Sequence, residues 1–213
     1  MCIRDRLTGD LSEAQCSAKL VDDALKAFGG LDAVVSNAGI TSPAPLIDLS
    51  VSKWDKLLNV NARATLLLAQ AAYPALKESK GALVAVASMS GMGAHPGMGA
   101  YSPSKAALIS LCQVLAQEWA CDGINVNTVS PGMIRTPLTQ KVYENNQIAK
   151  ERAALVPLGR VGNPEDISNV ISFLLSPEAN YITGQNILVD GGFVDSLYRH
   201  IPGLPDSSEI DKT

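Results

Sequence analysis

Short runs of β-branched and apolar residues alternate along the chain with longer segments whose apolar positions recur every three or four residues. That pattern predicts parallel βαβ units. Ser12-Glu-Ala-Gln15 has the spacing of a capping box, and Leu20, Val21, Ala24, Leu25 and Phe28 follow at helical intervals up to Gly29-Gly30. Residues 31–36 then read as a short strand with little alternation, which suits a strand covered on both faces. Ser50 can cap a long helix carrying Trp54, Leu57, Leu58, Leu66, Leu67 and Leu68, expected to end or kink near Pro74.

The second half repeats the alternation. Residues 82–88 form a strand, and residues 89–100, with four glycines and a proline, form a loop. Pro103 suits the first turn of a helix running to Trp119. Residues 124–130 alternate as a third strand that Pro131-Gly132 stops. Between 133 and 160, Pro137, Pro157 and a polar middle at 140–152 suggest a mobile helical excursion of the kind that covers sites. Asn163-Pro-Glu-Asp166 opens a helix through Ile167, Val170, Ile171, Phe173 and Leu174, and residues 187–190 are a last strand before Gly191-Gly192. Residues 193–213 are expected to be a polar tail, frayed over 207–213. The whole predicts one α/β domain over 1–213, a doubly wound parallel sheet.

Composition removes several functions. With 46% hydrophobic and 18% charged residues the chain can bury a sizeable core, so disorder is excluded. Seventeen Lys and Arg against 21 Asp and Glu leave a net charge of -4, with no basic block longer than a pair; no nucleic-acid partner is expected. No apolar run reaches the roughly 18–20 residues of a membrane span, so no membrane partner is expected either. The charged start, Met-Cys-Ile-Arg-Asp-Arg, does not suit a secretory signal, which leaves the cytoplasm as the expected compartment. Cys2, Cys16, Cys112 and Cys121 have no metal-ligand spacing, and on one helix Cys112 and Cys121 would stand about 13 Å apart, so reduced thiols and no metal are expected. His95 and His200 read as isolated surface or loop residues.

Candidate chemistry begins with Tyr101 and Lys105, which at i and i+4 share one helix face. A phenol exchanges protons poorly at neutral pH, but a cation held beside it favours the phenolate and brings its pKa toward the working range. Ser88 ends a strand at its carboxyl end, where open α/β sheets place ligands. Asn61 lies inside a helix, where a buried amide needs partners. Asn37-Ala-Gly39 and Pro131-Gly132 each follow a strand with small residues that permit close approach, and Thr136 adds a hydroxyl. Met89, Met92, Met98 and Met133 all fall in the two loops flanking these residues, which fits either local packing or a lipophilic pocket.

In this order and spacing, Asn37-Ala-Gly39, Asn61, Ser88, Tyr101-x-x-x-Lys105, Pro131-Gly132 and Val189-Asp-Gly-Gly192 resemble the short-chain dehydrogenase/reductase family over about residues 8–192. The resemblance implies a Rossmann-like fold, NAD or NADP as cofactor, and a small-molecule carbonyl or alcohol substrate. It implies Tyr101 as general acid and base, Ser88 as the hydroxyl positioning the substrate oxygen, and Lys105 as the group that holds the nicotinamide ribose and lowers the phenol's pKa. Asn61 would anchor a proton-relay water. Asn37, Ala38 and Gly39 would line the cofactor, Ile134 and Thr136 would meet the nicotinamide carboxamide, and Asp10-Leu11 would contact adenine. Relatives of this kind include 3-oxoacyl-carrier-protein reductases and sugar or polyol dehydrogenases. A homo-oligomer, dimer or tetramer, is implied through the helices around 51–73 and 103–119, with Leu66, Leu67, Leu111 and Leu115 as candidates for the contact face, although core packing explains any one of them equally well.

The sequence departs from the family at its start. The glycine-rich turn that holds the dinucleotide pyrophosphate is absent, as is the residue that separates NAD from NADP, so the cofactor preference stays open. Roughly 50 residues of βαβα architecture are expected to be missing before Leu7, and Met1–Arg6 to be foreign sequence or a mis-assembled start. An N-terminally truncated sheet would expose the strand at 31–36 as an apolar edge. An incomplete, inactive product and a non-catalytic cofactor-sensing relative are the alternatives to an active enzyme.

Overall fold

The computed structural model describes residues 7–201, with the His200 side chain outside that description. The expected foreign start with Cys2, and the frayed end at 207–213, therefore lie outside the described residues. Helix α1 (Ala14–Phe28) begins after Glu13 and ends where Gly29 turns left-handed (φ 77°), its N–H donating to Leu25 O at 2.8 Å. The expected capping box does not form. Ser12 gives both its N–H and its hydroxyl to Asp10 Oδ1, at 2.8 and 2.7 Å, so its side chain closes the preceding turn instead of the helix.

Four strands, β1 (Ala33–Ser36), β2 (Ala82–Val86), β3 (Asn125–Pro131) and β4 (Asn186–Val189), form one parallel sheet in the order β1-β2-β3-β4. Pairing Ala33 with Ala82, Ala82 with Asn125 and Thr128 with Asn186 aligns the carboxyl ends of the central strands. The alternation of side chains along β2 divides the core: Leu83 and Ala85 enter one apolar cluster, Val84 the other. The first cluster joins Val21 of α1 to the long helices α3 (Ala64–Ser79) and α4 (Tyr101–Trp119); the second covers the opposite face with Ile167 and Leu174 of α7 (Pro164–Leu174). Helices on both faces make this the expected doubly wound α/β fold.

Strand β1 does not follow the two-faced burial expected of it. It pairs only with β2, and Val34 is buried while Val35 remains 42% exposed, which matches the exposed apolar edge. Ser50 does cap α2 (Val51–Leu58), its hydroxyl accepting from Lys53 N at 3.4 Å. The long helix then widens into a π turn at Asn59–Arg63 and continues as α3 to Ser79 without ending at Pro74. Gln70, whose carbonyl Pro74 leaves without its helical donor, is an exposed residue, so water can serve that oxygen.

The excursion after β3 consists of α5 (Gln140–Tyr143) and α6 (Asn146–Leu155), separated by Asn145, whose side chain accepts from Gln147 N and Ile148 N at 3.0 and 3.2 Å. At the start of α7 the Asp166 carboxylate accepts from Asn163 N at 2.8 Å and pairs with Arg160, whose guanidinium holds the carboxyl well below its ordinary range. Leu115 is no candidate for a contact face: it lies in the first core cluster, and Leu111 packs against it. The next residue round the helix, Val114, is 51% exposed.

Candidate active site

A cavity of about 300 Å³ opens at the carboxyl ends of β2 and β3, beside the N-terminus of α4. Its walls bring together Asn37, Gly39, Ser88, Tyr101, Lys105, Pro131, Gly132, Ile134 and Thr136. Residues 100 positions apart meet there because parallel strands return every chain crossing to the same end of the sheet. Asn61 stands behind this wall, and Ala38 is exposed and does not line it. Asp10 and Leu11 lie in the turn before α1, away from the cavity, where the Asp10 carboxyl is held low by its hydrogen bonds from Ser12.

Tyr101 opens α4, and Lys105 follows one turn later with only 3% of its surface exposed. The ammonium donates to Val86 O at 2.7 Å and lies 5.9 Å from the centre of the Tyr101 ring. Burial pushes its pKa down to about 8. The Tyr101 phenol is moved in the opposite sense from the sequence expectation: burial raises its pKa, and the hydrogen bond with Ser88 only opposes that rise. The physical reason is the phenol's own burial, which disfavours the phenolate; the Lys105 ammonium, 5.9 Å from the ring centre and hydrogen-bonded to Val86 O, does not offset it. Ser88, almost fully buried, accepts from Ser90 N at 3.1 Å, which anchors its oxygen beside the phenol.

Asn61 sits in the middle of the π turn, and that widened turn carries its amide into the site wall. Its Oδ1 accepts from Ile40 N at 2.8 Å, and its Nδ2 donates to Ile40 O at 3.0 Å and Ser104 Oγ at 2.9 Å. Both amide hydrogens are thereby spent on protein atoms, leaving one lone pair of Oδ1 for any further donor. Gly39 fits between these groups: a Cβ there would stand 3.3 Å from Lys105 Nζ and 3.5 Å from Asn61 Oδ1. Gly132 is required by a different approach, since a Cβ would meet Asp190 Cβ at 2.4 Å. Asp190 is occupied in turn by the N–H groups of Gly192 and Val194, at 2.8 and 2.7 Å. Val189-Asp-Gly-Gly192 is thus the structural seat of the Pro131-Gly132 turn. Thr136 N donates to Thr139 Oγ1 at 2.9 Å, and the two hydroxyls lie 3.2 Å apart.

Several wall residues carried no sequence signal. His95, read as an isolated loop residue, has its Nδ1 3.0 Å from Ser90 Oγ and faces the cavity. Tyr143 and Arg152 reach the same wall from α5 and α6. Met89, Met98 and Met133 line it as well, whereas Met92 turns away and its sulfur meets Asn186 Nδ2 at 3.1 Å. Among the described residues no helix is long and apolar enough to cross a membrane, and no three His, Cys, Asp or Glu side chains group as a metal site.

The family model described as enoyl-(acyl carrier protein) reductase matches residues 3–194. The chain belongs to the short-chain dehydrogenase/reductase family. It is 40% identical over 178 residues to the 3-oxoacyl-(acyl-carrier-protein) reductase FabG of Thermotoga maritima, covering 83% of this chain and 71% of that protein. It is 38% identical over 186 residues to human (3R)-3-hydroxyacyl-CoA dehydrogenase, covering 86% of this chain and 70% of the other. Among solved structures, protein TT0495 of Thermus thermophilus superposes with a TM-score of 0.83 at 36% identity, over 89% of this chain and 80% of that one. The Pseudomonas aeruginosa RhlG/NADP active-site complex superposes with a TM-score of 0.81 at 32% identity, over 86% and 74% of the two chains. This family member is accordingly an oxidoreductase by descent, with the Rossmann-like fold of its relatives.

Proposed function

We propose that the protein interconverts a carbonyl and a secondary alcohol with NAD or NADP, using Tyr101 as proton donor and acceptor. The observation that carries this reading is the meeting of Ser88, Tyr101 and Lys105 in one cavity, with Ser88 and Lys105 buried and Tyr101 half-buried. The names of the two curated relatives favour a 3-oxoacyl or 3-hydroxyacyl thioester over a sugar or polyol. The methionines of the cavity wall also suit an acyl chain.

The residues present fit the nicotinamide and its ribose, the end of the cofactor that reacts. An ammonium has three N–H donors, and Lys105 spends one on Val86 O, so two remain for the hydroxyls of a ribose. Gly39 leaves a cradle beside it that any side chain would fill. Ile134 and Thr136 would border the nicotinamide, with Asn37 and Gly39 along its ribose. The bound nicotinamide supplies the hydride.

The chain's own part is orientation and proton transfer. Ser88 Oγ, fixed by Ser90 N, directs its hydroxyl proton at the substrate oxygen. Tyr101, kept protonated by its burial, gives the phenolic proton to that oxygen as the carbonyl is reduced, and takes it back in alcohol oxidation. Charge on the resulting phenolate is met by the Lys105 ammonium one turn away. In Tyr101→Phe, turnover of a 3-oxoacyl thioester, read as loss of reduced nicotinamide absorbance, is expected to fall about 10²- to 10⁴-fold while nicotinamide binding persists. Undiminished turnover in that variant would end this assignment.

A further inference from the structure

We propose that the substrate of this site ends in an oxyanion, carboxylate or phosphate, which Arg152 receives. The inference rests on the carbonyl–alcohol reading above and names the substrate class for it: a phosphate would belong to the carrier of a thioester, whereas a carboxylate would mean a free acid in place of the thioester. A second cavity of about 390 Å³ continues from the catalytic one, sharing Arg152, Met89 and Met133 with it. Its remaining walls include Leu155, Phe193 and Val194, so an apolar body fits there.

Arg152 is the single ionic side chain in those walls. Among the described residues no carboxylate lies within ion-pair distance of it. Its partner is instead the buried ring of Tyr143, 5.6 Å from the guanidinium carbon, with the phenol oxygen 3.5 Å from one nitrogen. These contacts hold the guanidinium beside Tyr143, and the hydrogen bond to the phenol uses one of its five N–H donors. Arg135, an exposed side chain, lies 5.5 Å from the same ring, and among the described residues neither arginine has an ion-pair partner. A bidentate contact with a carboxylate or phosphate suits the planar fork of Arg152.

The test is isothermal titration of the protein with 3-hydroxyoctanoate, its methyl ester and octyl phosphate. The acid or the phosphate should bind about 10- to 100-fold more tightly than the ester, and Arg152→Gln should remove that margin while leaving ester binding unchanged. Whichever of the two anions binds more tightly identifies the oxyanion. Should Arg152→Gln fail to fold, Arg152→Lys serves, keeping part of the margin because the charge stays and the fork is lost. Equal binding of acid, phosphate and ester by the wild type overturns the proposal, as does no binding of any of them or an equal loss for all in the variant. An anion margin that depends on Arg152, with no nicotinamide-linked turnover of any 3-hydroxy or 3-oxo compound, upholds the anion site and refutes the oxidoreductase reading instead.

Discussion

Lys105 should make this protein more stable as the pH rises above neutrality, against the usual behaviour of a lysine that gains a partner. Its pKa is about 8 in the folded protein against 10.5 for a free side chain. Below pH 8 the ammonium is charged in both states, and holding it in the interior costs about 3 kcal/mol. Above pH 10.5 it is neutral in both, and the cost has gone. Between these limits the unfolded chain binds more protons, so the unfolding free energy climbs with pH. By pH 9 the gain over pH 7 comes to about 1 kcal/mol. Urea unfolding of the wild type and of Lys105→Met, followed by tryptophan fluorescence from pH 7 to 9.5, isolates this group. Other titrating residues, the Cys112 thiol among them, contribute equally to both curves. Loss of the Lys105 bond to Val86 O adds an offset that does not change with pH below the lysine's own titration. A difference between wild type and variant that stays constant to about 0.3 kcal/mol over that range would refute the reasoning.

Three further outcomes follow from the geometry. Asn61→Ala removes three hydrogen bonds from an amide that is 1% exposed and strands the Ile40 backbone, so it should cost about 2–4 kcal/mol in urea unfolding; a cost under about 1 kcal/mol would show that water replaces the amide freely. Gly132→Ala drives a methyl into Asp190 and should lower stability by about 1–3 kcal/mol in thermal unfolding, whereas Gly30→Ala, with open space around it, should move it little; equal effects contradict the close approach. The Cys112 thiol, pushed up to about 12 by burial, should resist alkylation at pH 8 until the protein unfolds, while exposed Cys121 reacts at once; peptide mass mapping that finds both labelled at one rate refutes this.

The amino-acid order alone determined the parallel α/β class and the neighbours on one helix face, because both depend on local periods: two residues along a strand, about four along a helix turn. Tyr101 and Lys105 are such a pair, and Ser88 joins them because it follows β2 just past its carboxyl end. Resemblance then grouped motifs whose spacing no single period relates. What the sequence left undetermined depends on through-space packing. The Ser12 side chain had two partners within reach and took Asp10, and β1 kept one face bare because burial is a property of the sheet's neighbours rather than of the strand. The direction of the Tyr101 pKa reversed for the same reason: spacing shows that a cation is near, while only the fold shows that the phenol is itself desolvated. Arg152 and His95 entered the site wall solely through tertiary folding, since the excursion over 133–160 and a glycine-rich loop leave no periodic trace of the cavity they close.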